Sequence, residues 1–381
     1  MIDSAGRQNP ASRPRPSADD AALPDLPDVS IVIAARNEEA HITSCLQSIF
    51  DAEPFAPRFE ILVVDGDSSD GTAGLAGKFA ASHPEVLLFI NPHRFAPQGF
   101  NIGIKAARGN WIFILGAHSR YDPSYFRLCL ETARRTGAEN VGGCVVVEVR
   151  EEGLTGTLAK AVGSSRFGFG ASPFRRQDPP EGPADTAAFG CFPRRTFETY
   201  GLYDERLVLN QDWELNQRIR RAGGTVWLNP AIRLQYFARQ DPRVMMDRAY
   251  DTGLWVAYLW TLGPYTASAR HAIPAVFTAA MLVPGVNIAA LAAHQATALA
   301  AAVAQAVRFG DARLLPTLPP LFLGIHAAYG AGTLKGLWDI ISGRSPVSLH
   351  ATIEYLQPET HGAGQPASSP AAGKPQPRRR S

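Results

Sequence analysis

Cysteine is scarce: Cys45, Cys129, Cys144 and Cys191 are the only four in 381 residues, and no two form a C-x-x-C pair. That excludes a disulfide framework and a cysteine zinc site, and fits reduced, cytosolic thiols. Glycine fingerprints are missing as well. No G-x-G-x-x-G follows the first apolar run and no G-x-x-x-x-G-K-[ST] occurs, so neither a Rossmann oxidoreductase nor a P-loop nucleotidase is signalled. A net charge of +2 gives no case for nucleic acid as a partner. Large apolar residues are sparse before Val29, where Pro, Ser, Ala, Arg and Asp dominate. This predicts a disordered tail over residues 1–27 and no secretory signal peptide.

The most uneven shortage is of charge. From His271 to Val307 there is no Asp, Glu, Lys or Arg. At about 1.5 Å per residue, one helix over this stretch would far exceed a hydrocarbon core of about 30 Å. Pro284-Gly285 and the more polar His294-Gln295 are the expected breaks, giving a membrane hairpin or one span with an interfacial helix. Leu314 to Leu334 is a second uncharged run, of 21 residues, interrupted by Pro316, Pro319 and Pro320. The soluble alternative is a buried, alanine-rich helix pair. Residues 357–381 are polar and end in Arg378-Arg379-Arg380, which predicts a disordered basic tail on the cytoplasmic side. With the catalytic portion also expected there, an even number of full spans follows.

What is present reads as an α/β domain over 28–240, then linker or interfacial helices over 241–270 and membrane-associated helices over 271–340. Val29 to Ala34, Phe59 to Val64, Val86 to Ile90 and Trp111 to Leu115 are apolar runs without alternation, the mark of strands buried on both faces. Helices are predicted between them: one with Ile42, Cys45, Leu46 and Ile49 on one face and acids at its start, then about Thr72 to Ser82, then Gly99 to Arg108 bearing Asn101 and Lys105. Alternation of this kind predicts a mostly parallel sheet with right-handed crossovers. Further along, Tyr125 to Thr136 reads as a helix, Gly142 to Val149 as a strand, and Gly163 to Pro183 as a flexible Gly, Pro and Arg-rich loop.

In such sheets ligands gather at the carboxyl ends of the strands. Arg36 to Glu38 follow the first strand and Asp65 ends the second, where a carboxylate accepts hydrogen bonds from a base or sugar hydroxyl. Asp67 and its neighbours also suit a turn. The fourth strand runs into Gly116-Ala117-His118. Asp212 stands at the start of a polar helix and has the chemistry of a general base for a hydroxyl. Glu214, two residues on, would not share its face. Arg218, Arg220 and Arg221 read mainly as a solvated face, while Arg239, Arg243 and Arg248 are candidates for a pyrophosphate or lipid head groups.

Several segments together resemble family 2 glycosyltransferases of the GT-A fold. They are Ser30-Ile-Val-Ile-Ala-Ala-Arg-Asn-Glu-Glu, Val63-Val-Asp-Gly-Asp-Ser-Ser-Asp-Gly-Thr and Asn210-Gln-Asp-Trp-Glu-Leu-Asn-Gln-Arg-Ile-Arg-Arg-Ala-Gly-Gly. Ala117-His118-Ser119-Arg120-Tyr121, Arg248-Ala-Tyr-Asp-Thr-Gly-Leu-Trp255 and His326-Ala-Ala-Tyr-Gly-Ala-Gly further resemble the succinoglycan-biosynthesis ExoA-type enzymes of bacterial exopolysaccharide pathways. The resemblance implies inverting transfer of a sugar from a nucleotide donor, usually UDP-linked, to a lipid-linked oligosaccharide at the cytoplasmic face of the bacterial inner membrane. It implies a divalent metal, Mg2+ or Mn2+, and other polysaccharide-assembly proteins as partners. By position, Ala35, Arg36, Glu38 and Asp65 would hold the base and ribose, with Lys105 a further donor-site candidate. Gly116, Ala117 and His118 would meet the diphosphate, and His118 the metal. Asp212 would be the base, and Gln211, Arg248 and Trp255 would serve the acceptor or pyrophosphate.

The chain departs from the family where relatives carry an acid, as Asp-x-Asp or Asp-Ala-His; here the residue is Gly116. A divalent ion on a diphosphate wants hard oxygen ligands. Three readings stand open: His118 with water and phosphate oxygens suffices, an acid such as Asp122 substitutes, or metal binding and with it catalysis is lost. Gln211 likewise replaces the Glu of the common Glu-Asp pair. The alternative function is a non-catalytic nucleotide-sugar or lipid-intermediate binding partner of an active transferase.

Overall fold

Strand and helix alternate from the first described residues. The structure, a computed structural model, describes residues 26–344 except 170, 171, 177 and 267; of the tails expected over 1–27 and 357–381, all but residues 26 and 27 lie outside the described residues. The order is β1 (Val29–Ala35), α1 (Ile42–Phe50), β2 (Phe59–Asp65), α2 (Thr72–Ser82), β3 (Val86–Ile90), α3 (Ala96–Ala106) and β4 (Trp111–Gly116). These four strands are parallel in the order β3-β2-β1-β4, with Ala35 opposite Asp65 and Ala34 opposite Gly116, so their carboxyl ends share one edge. Ile31, Val32, Ile33, Ile61, Leu62, Val63, Phe113 and Leu115 are fully buried, as runs without alternation require.

The sheet continues through β8 (Cys191–Pro193), β6 (Asn140–Glu148), β9 (Val226–Phe237) and β5 (Ser119–Tyr121), with β7 (Gly182–Pro183) paired to β9. Strand β8 is antiparallel to β4, and β6 and β9 are parallel to each other. The sheet is thus mixed but mostly parallel. Helices α4 (Tyr125–Thr136), α5 (Leu154–Ser164), α6 (Arg195–Tyr200) and α7 (Gln211–Arg221) complete this part.

Some local expectations shift. Helix α3 starts three residues earlier than predicted, with Pro97 in its first turn, where a missing N–H costs nothing. The acids before α1 do not serve its dipole; the first turn of α1 holds none. Instead Glu39 accepts from Gly71 N (3.1 Å) and Glu38 N donates to Thr72 Oγ1 (2.7 Å), lacing the loop after β1 to the one after β2. The predicted loop over 163–183 begins inside the last turn of α5, and β5, β9 and α5 are elements the sequence pattern did not single out.

The remaining helices are α8 (Pro242–Thr261), α9 (Ala269–Met281), α10 (Val286–Phe309) and α11 (Leu314–Ile341). Pro284-Gly285 does separate α9 from α10, with Gly285 at φ +84°. His294-Gln295 does not break α10, because His294 Nε2 is bonded to His326 Nδ1 of α11 at 3.0 Å, so its polarity is absorbed inside the bundle. Helix α11 runs on through its prolines. They fall in its first two turns, where few backbone bonds are lost.

Leu314, Leu318, Phe322 and Ile325 of α11 are buried with Leu158 and Val162 of α5, Met245 and Ala249 of α8, and Ala298 and Ala302 of α10. The second uncharged run is therefore partly a protein core. Among the described residues one helix, α10, is long and apolar enough to cross a membrane. Its Val286, Ile288, Leu299, Val303 and Val307 are exposed, as are Ile273 and Val276 of α9. Helix α9 alone, at 13 residues, is too short for a span of about 20.

Candidate active site

Parallel strands deliver side chains to one edge, and here the loops after β1 and β2 are tied to each other before any ligand arrives. Asn37 N donates to Ser68 Oγ (3.0 Å) and Ser69 N to Asn37 Oδ1 (2.9 Å). Asp65 accepts from Ser68 Oγ (2.6 Å) and Ser68 N (3.1 Å), so part of its capacity closes its own turn. Asp67 is paired with Arg94 on the surface, a turn role. Ala35 is buried at the end of β1 and Arg36 is exposed beyond it.

The turn after β4 is held by Tyr121. Its hydroxyl accepts from Gly116 N (3.0 Å) and donates to Gly116 O (3.2 Å), which explains the Ala-His-x-x-Tyr spacing physically. Ala117 is buried and His118 is half-buried. His118 Nδ1 lies 3.0 Å from Glu38 Oε1, and its ring meets the edge of Tyr236 at 4.8 Å. A carboxylate behind one imidazole nitrogen fixes the ring and leaves Nε2 to face a ligand. His41 stacks on Phe237 at 5.3 Å beside this pair. Burial first, then His118 and Arg150, hold its pKa below the ordinary value against the pull of Glu38.

Asp212 stands in the first turn of α7. Desolvation raises its pKa above the usual carboxylate range, opposed by backbone N–H groups and by the charges of Arg175 and Arg248. Next to it, Asn210 Nδ2 and Gln211 Oε1 are buried with no hydrogen-bond partner. Buried polar atoms are rarely left unpaired, so two neighbours in this state mark a place built for something further. Asn210 itself is at φ +65°. Glu214, as expected, faces away. It is fully buried and paired with Arg218, which also donates to Tyr200 O.

One carried-over residue stands apart from this edge. Lys105 lies near the end of α3, just before Arg108, whose partner Glu60 is at the start of β2. Helix α3 runs against the strands, so Lys105 is at the opposite edge of the sheet from Asp65. Trp255 packs beside Leu207, Trp213 and Leu259, a small apolar cluster under α7, while Arg248 of α8 is exposed and within electrostatic reach of Asp212. Arg175, Phe189 and Tyr236 were not legible as site residues. Arg175 was hidden among several arginines of a Gly and Pro-rich stretch, and Tyr236 sat in an unrecognised strand.

The metal reading meets a steric fact. A Cβ on Gly116 would lie 2.6 Å from Phe189 Cε1, so an aromatic ring fills the direction an acid would take. Asp122 does not substitute. It follows β5, which runs away from the edge, and four extended residues from His118 span about 13 Å; its carboxyl lies near Arg233, and burial raises its pKa. Among the described residues no three His, Cys, Asp or Glu side chains converge. The donor set at this turn does not fit a hard divalent ion held by protein carboxylates.

The sheet thus presents, at the edge where its parallel strands end, a carboxylate at a helix start and a histidine turn. Residues 30–200 match Glycosyl transferase family 2, which supports glycosyltransferase activity. It is similar to the dolichyl N-acetyl-alpha-D-glucosaminyl phosphate 3-beta-D-2,3-diacetamido-2,3-dideoxy-beta-D-glucuronosyltransferase of Methanococcus voltae, 27% identical over 59% of this chain and 71% of that protein. Against the succinoglycan biosynthesis protein ExoA of Rhizobium meliloti it is 29% identical over 55% of this chain and 63% of the relative. The mannosyltransferase PcManGT of Pyrobaculum calidifontis, solved with GDP-Man and Mn2+, superposes with a TM-score of 0.53 at 18% identity, covering 82% of this chain and 88% of that one; this likeness bears on the fold alone.

Proposed function

We propose that the protein transfers a sugar, with inversion, from a nucleotide-diphospho-sugar, expected to be UDP-linked, to a hydroxyl of a lipid-linked oligosaccharide. The setting is assembly of a succinoglycan-like exopolysaccharide at the cytoplasmic face of a bacterial inner membrane, with α10 and the exposed apolar faces beside it in the lipid. The names of the relatives from M. voltae and R. meliloti support that substrate class. Ala35, Arg36, Glu38 and Asp65 hold the base and ribose, and Gly116, Ala117 and His118 meet the diphosphate. Gln211 and Arg248 lie on the acceptor side.

The observation that carries the reading is Asp212 beside the unpartnered Asn210 and Gln211. An acceptor hydroxyl is a weak nucleophile at neutral pH. As its oxygen bonds to the anomeric carbon, the bond from that carbon to the diphosphate breaks and its electron pair leaves with the diphosphate. The hydroxyl proton passes to Asp212. Desolvation brings the pKa of Asp212 closer to the operating pH, which suits a base. Asn210 Nδ2 and Gln211 Oε1 beside it hold unused hydrogen-bonding capacity that a rotation of either side chain offers to sugar hydroxyls.

The test is Asp212→Asn in membranes supplied with labelled UDP-sugars, with the lipid-linked product extracted. Transfer falls by about 10²–10⁴-fold while UDP binding is retained. Unchanged turnover removes Asp212 from the mechanism. Gly116 favours the rival reading of a non-catalytic nucleotide-sugar binder. UDP binding with no transfer in the native protein, across the panel, would establish that rival.

A further inference from the structure

Glycine at 116 is coupled to its surroundings. Phe189, whose ring covers it, is in the left-handed region at φ +52°, and Tyr125 donates a hydrogen bond to its carbonyl. The next residue is fixed too: Gly190 O accepts from Ile114 N at 3.1 Å, and a Cβ on Gly190 would overlap Asn140 Oδ1. The backbone that carries the ring is therefore pinned on both sides. Its neighbour is Tyr236, at 6.3 Å, which in turn touches His118. Over the Tyr236 ring, 5.5 Å from its centroid, lies the guanidinium of Arg175, which also covers Phe174 at 5.5 Å. Arg175 is near enough to Asp212 to influence it, and among the described residues no carboxylate pairs with it.

We infer that Arg175, steadied over Tyr236, supplies the positive charge that meets the donor's diphosphate, and that Phe189 over Gly116 closes the place of a carboxylate-held divalent ion. This rests on the donor site proposed above. When the bond from the anomeric carbon to the diphosphate breaks, the electron pair and negative charge stay on the diphosphate oxygens. A fixed guanidinium presents parallel N–H donors to such oxygens, and stacking on an aromatic face preorients it. Charge already in place where charge develops favours the transition state over the bound donor. His118, backed by Glu38 and in edge contact with Tyr236, adds a second donor.

Calorimetry of the full chain with UDP and with GDP, in EDTA and in Mn2+, tests this. The native protein binds one of them in EDTA, and Mn2+ changes the affinity less than about twofold. Arg175→Gln weakens binding by about tenfold or more, the loss of a charge-assisted contact, and Arg175→Lys recovers part of it; both keep the native melting temperature. Gly116→Asp combined with Phe189→Ala gains Mn2+-dependent binding. Affinity that rises more than tenfold with Mn2+ in the native protein, or that ignores Arg175→Gln, overturns the inference and leaves the donor site standing. Absence of binding by either nucleotide in both buffers overturns the donor site as well.

Discussion

The two edges of one sheet treat their carboxylates in opposite ways. At the edge where the strands begin, Glu60 is 2% exposed and fully answered: Oε1 accepts from Ser30 Oγ (2.7 Å) and Arg108 N (2.7 Å), and Oε2 accepts from Arg108 Nε (2.8 Å). Ser30 Oγ in turn accepts from Gly109 N at 2.8 Å. At the edge where the strands end, Asp212 has backbone donors and the charges of Arg175 and Arg248, and its neighbours Asn210 and Gln211 keep buried atoms unpaired. Closed networks hold folds together. On the function proposed above, a substrate's own hydroxyls and phosphates finish the hydrogen bonding at the edge left incomplete.

The strongest way to break this comparison is at Asp212. Beyond the lost transfer, Asp212→Asn should stabilise the fold at neutral pH. A carboxyl whose folded-state pKa is raised gives stability that is complete below the unfolded value, about 3.9, and lost as pH rises through the folded value. At pH 7 the ionised group is a cost that asparagine removes, so the melting temperature rises as activity collapses. The acid limb of the rate profile should lie above the ordinary carboxylate range, since the base must be ionised. A melting temperature that falls in Asp212→Asn would place Asp212 with the structural carboxylates. Glu60→Gln should do the reverse: a stability loss of about 1.5–3 kcal/mol from the lost charge-assisted bonds, read in a denaturant titration, with UDP affinity unchanged.

Much of the first edge was legible because its signals are local. Unbroken apolar runs gave β1, β2, β3 and β4, and Asp65, Gly116 and His118 fell at their ends by simple counting. The position of Asp212 was legible because an acid opening a polar helix has a sequence context. Lys105 was misplaced because a helix face says nothing about which end of the helix meets the ligand. Trp255 packs against Trp213, the neighbour of Asp212, and an aromatic at helical spacing serves packing and binding alike. Phe189 and Arg175 escaped altogether: the ring matters only because β8 returns antiparallel to β4, and the arginine only because Tyr236 arrives on β9. Neither long-range pairing leaves a mark in the local pattern. The membrane reading was half legible for a related reason, since an uncharged run looks the same whether it meets lipid, as the outer face of α10 is free to do, or other helices, as Leu318 and Phe322 of α11 do.

Glycines carry the comparison to its finest scale. In the helical region a Cβ on Gly253 of α8 would lie 2.0 Å from Tyr329 O of α11, and one on Gly332 would lie 2.0 Å from Tyr250 O, so the two helices touch backbone to backbone. Gly253→Ala must push them apart and should cost about 1–3 kcal/mol, seen as a lower melting temperature. Gly74, exposed on α2, has nothing within 4 Å of the added carbon. Its replacement by alanine only removes backbone freedom from the unfolded chain and adds helix propensity, and should stabilise by about 0.5–1 kcal/mol. Opposite signs for one chemical change would show that α8 and α11 are a packed unit of the protein itself, not two helices separately dissolved in lipid. A neutral Gly253→Ala would mean that lipid, rather than Tyr329, is what Gly253 faces.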